Sequence, residues 1–220
     1  VTVSIDGTGG TGTEGTDFGT VSDITISAGS TSGTVTFDPT DDNVDEGNET
    51  AGISVSGVSG GGASESGTQA VTITITENES APTVTLSTSG SSIAENDGSS
   101  LTLTATLSVA TTADVTVALS TSGTATEGTD YTDGSGNIDD ITISAGSTTG
   151  TVNFTPTNDS VYEDDETATI AISSVSGGSA TESGSQSVTI TISEDESAPT
   201  VTLSTSATSI AAVSYTHLRA

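Results

Sequence analysis

Apolar residues recur at every second position in short runs along the chain. Leu101, Leu103, Ala105 and Leu107 alternate with threonine, and Val115, Val117 and Leu119 alternate likewise, as do Val188, Ile190 and Ile192. A period of two sends alternate side chains to opposite faces of an extended strand, so each run predicts a strand with one buried face. Residues 84–86, 141–143, 152–154 and 168–172 supply four more short runs between turns rich in Gly, Asp and Ser. Seven antiparallel strands with no helical stripe predict an all-β fold, a two-sheet immunoglobulin-like sandwich. Its expected core is Leu101, Leu103, Leu107, Val117, Leu119, Ile143, Phe154, Ile170, Ile172, Val188, Ile190 and Ile192. The threonine-rich opposite faces suit strands that meet water.

The strand pattern also repeats at long range. DITISAG at residues 23–29 returns at 140–146, VTITI at 71–75 returns at 188–192, and ESAPTVTLSTS at 79–89 returns at 196–206, each after 117 residues. A period of that length is a whole domain rather than a solenoid turn, because roughly 100 residues is the size at which one core becomes self-sufficient. The expected organisation is tandem: a partial repeat over residues 1–80 with its opening strands missing, a complete repeat over 81–197, and the start of a third over 198–212. Residues 213–220 (VSYTHLRA) break the pattern and hold the single histidine, His217, and the single basic residue, Arg219. They resemble a translated sequencing adapter, so a non-native tail is expected, a divergent native one being the other reading. In neither case does His217 have a partner for catalysis.

Thirty carboxylates against one Lys or Arg give a net charge of −29. A field of that sign repels nucleic acid and anionic membrane and attracts cations. No run approaches the roughly 18 apolar residues of a membrane helix, so no direct membrane insertion is expected of this segment. The chain has no cysteine and therefore no disulfide. GTGGTG at residues 7–12 fits a phosphate-loop pattern, but no helix follows and Glu14 and Asp17 would repel a phosphate, which leaves a hairpin loop. Paired carboxylates can hydrolyse glycosides, yet nothing supplies an aromatic platform or a cleft, so no enzyme is expected.

The carboxylates concentrate where strands end: Glu95, Asp130, the run at 158–166, and Glu194, Asp195 and Glu196. In a seven-stranded sandwich these loops can converge on one pole. Carboxylates gathered there repel one another by about 1 kcal/mol per pair at ~4 Å even in water. A hard divalent cation removes that penalty, and calcium, with six to eight oxygens in flexible geometry, suits such a set; zinc would want His or Cys. Charge alone leaves the other reading open, in which these residues simply keep the surface soluble.

Residues 123–131 (GTATEGTDY), followed by 141–146 (ITISAG) and 152–166 (VNFTPTNDSVYEDDE), resemble the Calx-beta domain. The resemblance covers nearly the whole repeat, from Glu95 to Glu196. It implies calcium bound in a cluster at one end of the sandwich, with the family's ligand positions falling on Glu95, Asp130, Asn158, Asp159, Glu163, Glu166, Glu194, Asp195 and Glu196 and the Val161 carbonyl as a further donor. In the first repeat the same positions are Asp17, Asp41, Asp42, Glu46, Glu49, Glu77 and Glu79. Asp164 and Asp165 are expected to be solvated turn residues. Asn158 and Ser160 stand where the family's strong binders carry aspartate, and Glu194 and Glu196 lengthen two further ligands, which implies one or two ions rather than four.

The resemblance and the near-identical tandem copies together lead to an expected function. It is a calcium-binding structural repeat of a large secreted or surface-anchored bacterial protein, an adhesin spacer stiffened by calcium, whose partners are calcium ions and neighbouring repeats. Proline in the joints at 79–83 and 196–200 limits bending. The alternatives are a calcium-sensing regulatory domain of a membrane protein and a metal-independent sandwich spacer.

Overall fold

The computed structural model describes residues 1–212. The expected non-native tail at 213–220 lies outside the described residues. The chain forms β1 (Thr2–Gly10), β2 (Ile24–Thr25), β3 (Val44–Asp45), β4 (Glu49–Ser59) and β5 (Ala70–Ile75), then β6 (Thr83–Thr88), β7 (Ser92–Ala94) and a 3-10 turn at Glu95–Asp97. It continues with β8 (Leu101–Leu107), β9 (Ala110–Thr111), β10 (Val115–Gly123), β11 (Tyr131–Thr132), β12 (Ile141–Ile143), β13 (Thr149–Pro156), β14 (Glu166–Ser176), β15 (Thr181–Glu182) and β16 (Ser187–Ser193). Among the described residues no helix is long and apolar enough to cross a membrane.

From β6 onward the strands build two five-stranded sheets, in the orders β12-β10-β14-β16-β7 and β11-β13-β8-β6-β15. The seven strands expected from the alternation are all present. Pairing is not purely antiparallel, however. β7 runs parallel to β16 and β15 runs parallel to β6. The first strand divides: β6 lies in one sheet, and the chain then crosses to the other as β7. Gly90 makes the crossing, where a Cβ would lie 2.9 Å from Leu101 Cδ2.

The inward faces of the two sheets form one core. Leu103, Leu107, Val117, Ile143, Phe154, Ile170, Ile172, Ile190 and Ile192 are buried in it, joined by Val84, Ile93, Val115, Tyr131 and Ile141. Each fully buried side chain of this size contributes about 1.5–3 kcal/mol. Leu101, Leu119 and Val188 were expected in the same set but are only partly buried against it. The alternation assigns their face correctly; Leu101 and Val188 lie near strand ends, and Leu119 lies beside a register shift in the middle of β10.

Residues 1–79 form a single four-stranded sheet, β2-β1-β4-β5, with a small cluster of Phe18, Val21 and Ala51. The segment equivalent to β13 makes an isolated bridge from Phe18 to Pro39 instead of a strand. In the second unit β13 pairs with β8, and nothing described within residues 1–79 takes the place of β8. The two units meet where β3 pairs in parallel with β9, Val44 opposite Ala110 and Asp45 opposite Thr111. Residues 198–212 contain no strand, and Val201, Leu203 and Ile210 are almost fully exposed, whereas their counterparts Val84, Leu86 and Ile93 are core.

Candidate metal centre

Four chain segments bring carboxylates to one pole of the second unit. The 3-10 turn after β7 buries Glu95, whose Oε1 accepts the Asp159 N–H at 2.8 Å. β10 ends at Gly123, where φ is 128° and a Cβ would sit 2.0 Å from the Thr167 carbonyl oxygen, so only glycine turns the chain here. The loop that follows is pinned by Asp130, whose Oδ2 accepts the Thr126 N–H at 2.6 Å. Tyr131, buried and stacked on Phe154 at 4.7 Å, anchors Asp130 from the next position.

The segment before β14 and the end of β16 are tied together by backbone donors. Glu194 Oε2 accepts the Glu163 N–H at 2.5 Å, and its Oε1 accepts the Asp195 and Glu196 N–H groups at 2.8 Å each. These donors hold the Glu194 carboxyl down to about 2. Asp159 Oδ1 accepts the Val161 N–H at 2.6 Å, and Asn96 Nδ2 donates to Asp195 Oδ2 at 2.6 Å.

Two carboxylate groups result. Glu95, Glu194, Asp195 and Glu196 each place an oxygen within 4.8 Å of the others, and so do Asp130, Glu163 and Glu166. Burial, with Asp130, Glu163 and Glu95 nearby, pushes Glu166 up to about 7. The neighbouring Glu194 carboxylate first, then burial and the charges of Asp195, Glu194 and Glu95, pushes Glu196 up to about 7. Burial first, and then Asp130, Asp159, Glu95 and Glu194, raises Glu163. The sole Lys or Arg of the chain is Arg219, so no side-chain cation from residues 1–212 is there to compensate.

The first unit repeats the arrangement with fewer groups. Asp17, Glu46 and Glu49 cluster within the same distance, and Asp42, Glu77 and Glu79 line the same cleft. The neighbouring Glu79 carboxyl and the backbone donors of Glu79 and Glu46 hold Glu77 down to about 2, while Glu79 is raised, first by the Glu77 carboxylate beside it. Burial, then neighbouring carboxylates, raises Glu46 and Glu49.

The donor set fits a hard divalent cation. Every candidate side-chain donor in the two groups is a carboxylate oxygen, and Glu196 Oε2 is buried with no hydrogen-bond partner. Not every expected ligand position joins a group. Asn158 is exposed; Asp159 stands outside both carboxylate groups and acts through its turn and its charge on Glu163. Val161 is exposed beside that turn. In the first unit Asp41 lies aside, accepting the Asn78 Nδ2–H at 2.8 Å.

Asp164 and Asp165 are more than solvated turn residues. Asp164 lines the cleft with a left-handed backbone and accepts the Tyr162 hydroxyl, while Asp165 Oδ1 accepts the Glu194 N–H at 3.0 Å. The repeat carried the signal. Asp164 and Asp165 fall on Gly47 and Asn48, a left-handed glycine and a side chain that accepts the Glu77 N–H at 2.9 Å.

A sandwich whose acidic loops gather at one pole, preceded by a partial copy with a similar acidic end, defines a repeat-containing β-sandwich protein with a cation-fitting end to each unit. The profile of the Calx-beta domain matches residues 1–79 and 76–197, and the chain belongs to the Calx-beta family. Solved structures similar to it include the apo form of the Calx CBD1 domain, at 21% identity over 51% of this chain and 98% of that one, TM-score 0.42. Another is CBD12 from CALX1.2, at 15% identity over 88% of this chain and 87% of that one, TM-score 0.40. A search of curated proteins gives no match.

Proposed function

We propose that each unit binds calcium at its acidic pole, and that the units in series act as a calcium-stiffened spacer of a secreted or surface-anchored bacterial protein of adhesin type. The observation that carries this is a single cleft of the second unit lined by Glu95 and Glu194 from one carboxylate group and by Asp130, Glu163 and Glu166 from the other, with Glu196 Oε2 of the first group buried and unpartnered and no basic side chain among the described residues. Glu95, Glu194, Asp195 and Glu196 would hold one ion, and Asp130, Glu163 and Glu166 a second. Bound calcium supplies the positive charge that these loops lack. The protein's part is to fix the loops: Glu194 ties the 163 turn to the end of β16, and Asp130 closes the loop after β10.

The near-identical copies and their direct pairing through β3 and β9 support a spacer over a regulatory calcium sensor. Calcium titration of the whole chain, followed by melting temperature, tests the metal. At one hundred times the dissociation constant, linkage stabilises the unit by about 2.7 kcal/mol, a rise of several degrees. Equal melting in millimolar calcium and in chelator overturns the calcium reading. Small-angle scattering tests the stiffening: the maximum dimension should be longer and better defined with calcium.

A further inference from the structure

We propose that the edge formed by Val161 and Tyr162 is a docking edge for a following repeat, which adds its own counterpart of Ala110–Thr111 to it as a parallel strand. The first unit shows the occupied state. There the equivalent residues, Val44–Asp45, pair with Ala110–Thr111 of the second unit, and both are half-buried. Val161 and Tyr162 stand 117 positions further on and are 58% and 37% exposed.

The two edges are built alike. In the first unit the Val44 N–H donates to Asp42 Oδ1 at 2.8 Å, and the Glu46 N–H donates to Glu77 Oε2 at 2.8 Å. In the second, the Val161 N–H donates to Asp159 Oδ1 at 2.6 Å, and the Glu163 N–H donates to Glu194 Oε2 at 2.5 Å. Both ends of the short segment are therefore held, and the free edge is already shaped for pairing. The joint is the same as well, since residues 79–89 and 196–206 are identical, so a following unit starts from the same place with the same chain length. Pairing of this kind rests on main-chain hydrogen bonds and tolerates a change of side chain. Tyr162 in place of Asp45 puts an aromatic ring opposite a threonine, a favourable neighbour across strands. The contact joins one pole of a unit to a different surface of the next, so it propagates head to tail without closing.

The test is the chain extended at residue 197 by one further copy of residues 81–197, compared with the chain as it stands, both in millimolar calcium. Hydrogen exchange at the Tyr162 amide, which lies between the held Val161 and Glu163 N–H groups, should slow by roughly tenfold or more in the extended chain. In the same chain, Val161→Cys together with Ala110→Cys in the added copy should cross-link under mild oxidation as readily as Val44→Cys with Ala110→Cys does in the existing pair. Unchanged exchange at Tyr162 overturns the proposal. So does cross-linking of the existing pair without the new one.

Discussion

Gly47 and Asp164 occupy the same position of the same turn with the same left-handed backbone, φ 72° and 69°. Glycine takes that conformation freely and aspartate at a cost. Asp164→Gly should therefore stabilise the second unit by about 0.5–1 kcal/mol, and removing a carboxylate from the cleft adds to the gain in chelator. Thermal melting without metal checks this; a lower melting temperature would show that the Tyr162 contact outweighs the strain.

The glycines that turn the chain toward Asp17 and Asp130 are harder to replace. At Gly10 and Gly123 a Cβ would stand 2.0 Å from a carbonyl oxygen, at φ 104° and 128°. Gly123→Ala should cost about 3 kcal/mol or more and displace the loop that carries Asp130. Denaturant unfolding measures the first effect, and loss of any calcium-induced rise in melting temperature measures the second.

Stability without metal should fall as pH rises through the window from 4.5 to about 7. Glu166 and Glu196 hold protons up to about 7 when folded, against an ordinary 4.5, so the folded chain binds more protons there than the unfolded one. Glu194 acts in the opposite sense: its stabilisation is present above 4.5 and disappears as pH falls through about 2. A pH series of melting temperatures in chelator should thus rise from pH 8 toward pH 5. In calcium the slope should flatten, because the ion needs these groups deprotonated. A chelator series flat from pH 5 to 8 would rule out the crowding of Glu166 and Glu196.

Glu163→Gln combined with Glu166→Gln removes two ionisable carboxyl groups from the group around Asp130. Melting temperature in chelator should hold or rise, and the calcium-induced rise should shrink. Magnesium should do much less than calcium in the parent chain, since it demands strict octahedral geometry and keeps its waters. An undiminished calcium response in the double variant would move the site away from these residues.

Of the two units, the one over residues 1–79 should be cut first by protease. Among the described residues no second sheet of its own is formed beside its four-stranded one, and Val35 and Val71 are exposed. Equal resistance of the two units under limited proteolysis would show that the first is as well packed as the second.

The strands were legible because one face of each meets a core, and alternation at Leu103, Leu107, Ile190 and Ile192 records that directly. Tyr131 was not, since it follows a charged turn and packs by stacking on Phe154 rather than by any period. The parallel edges were hidden for a different reason: the division of the first strand at Gly90 depends on where Leu101 sits, which is a tertiary fact. Which acidic residues belong near the pole could be read from strand ends and the repeat. Their sorting into a Glu95 group and an Asp130 group depends on side-chain direction, and the roles of Asp164 and Asp165 depend on a turn whose glycine is visible only in the other copy.

The parallel ladder of β7 and β16 gives the second unit a mechanical direction. Ser92, Ile93 and Ala94 lie opposite Thr191, Ile192 and Ser193, near the entry and the exit of the chain through this unit. Tension along a tandem array pulls these two strands past each other, so the rungs load together in shear instead of opening one after another. Glu95 follows immediately on one strand and Glu194 on the other. A cation gripped between them would sit in series with neither joint but alongside the ladder, sharing the load at the place where rupture would begin.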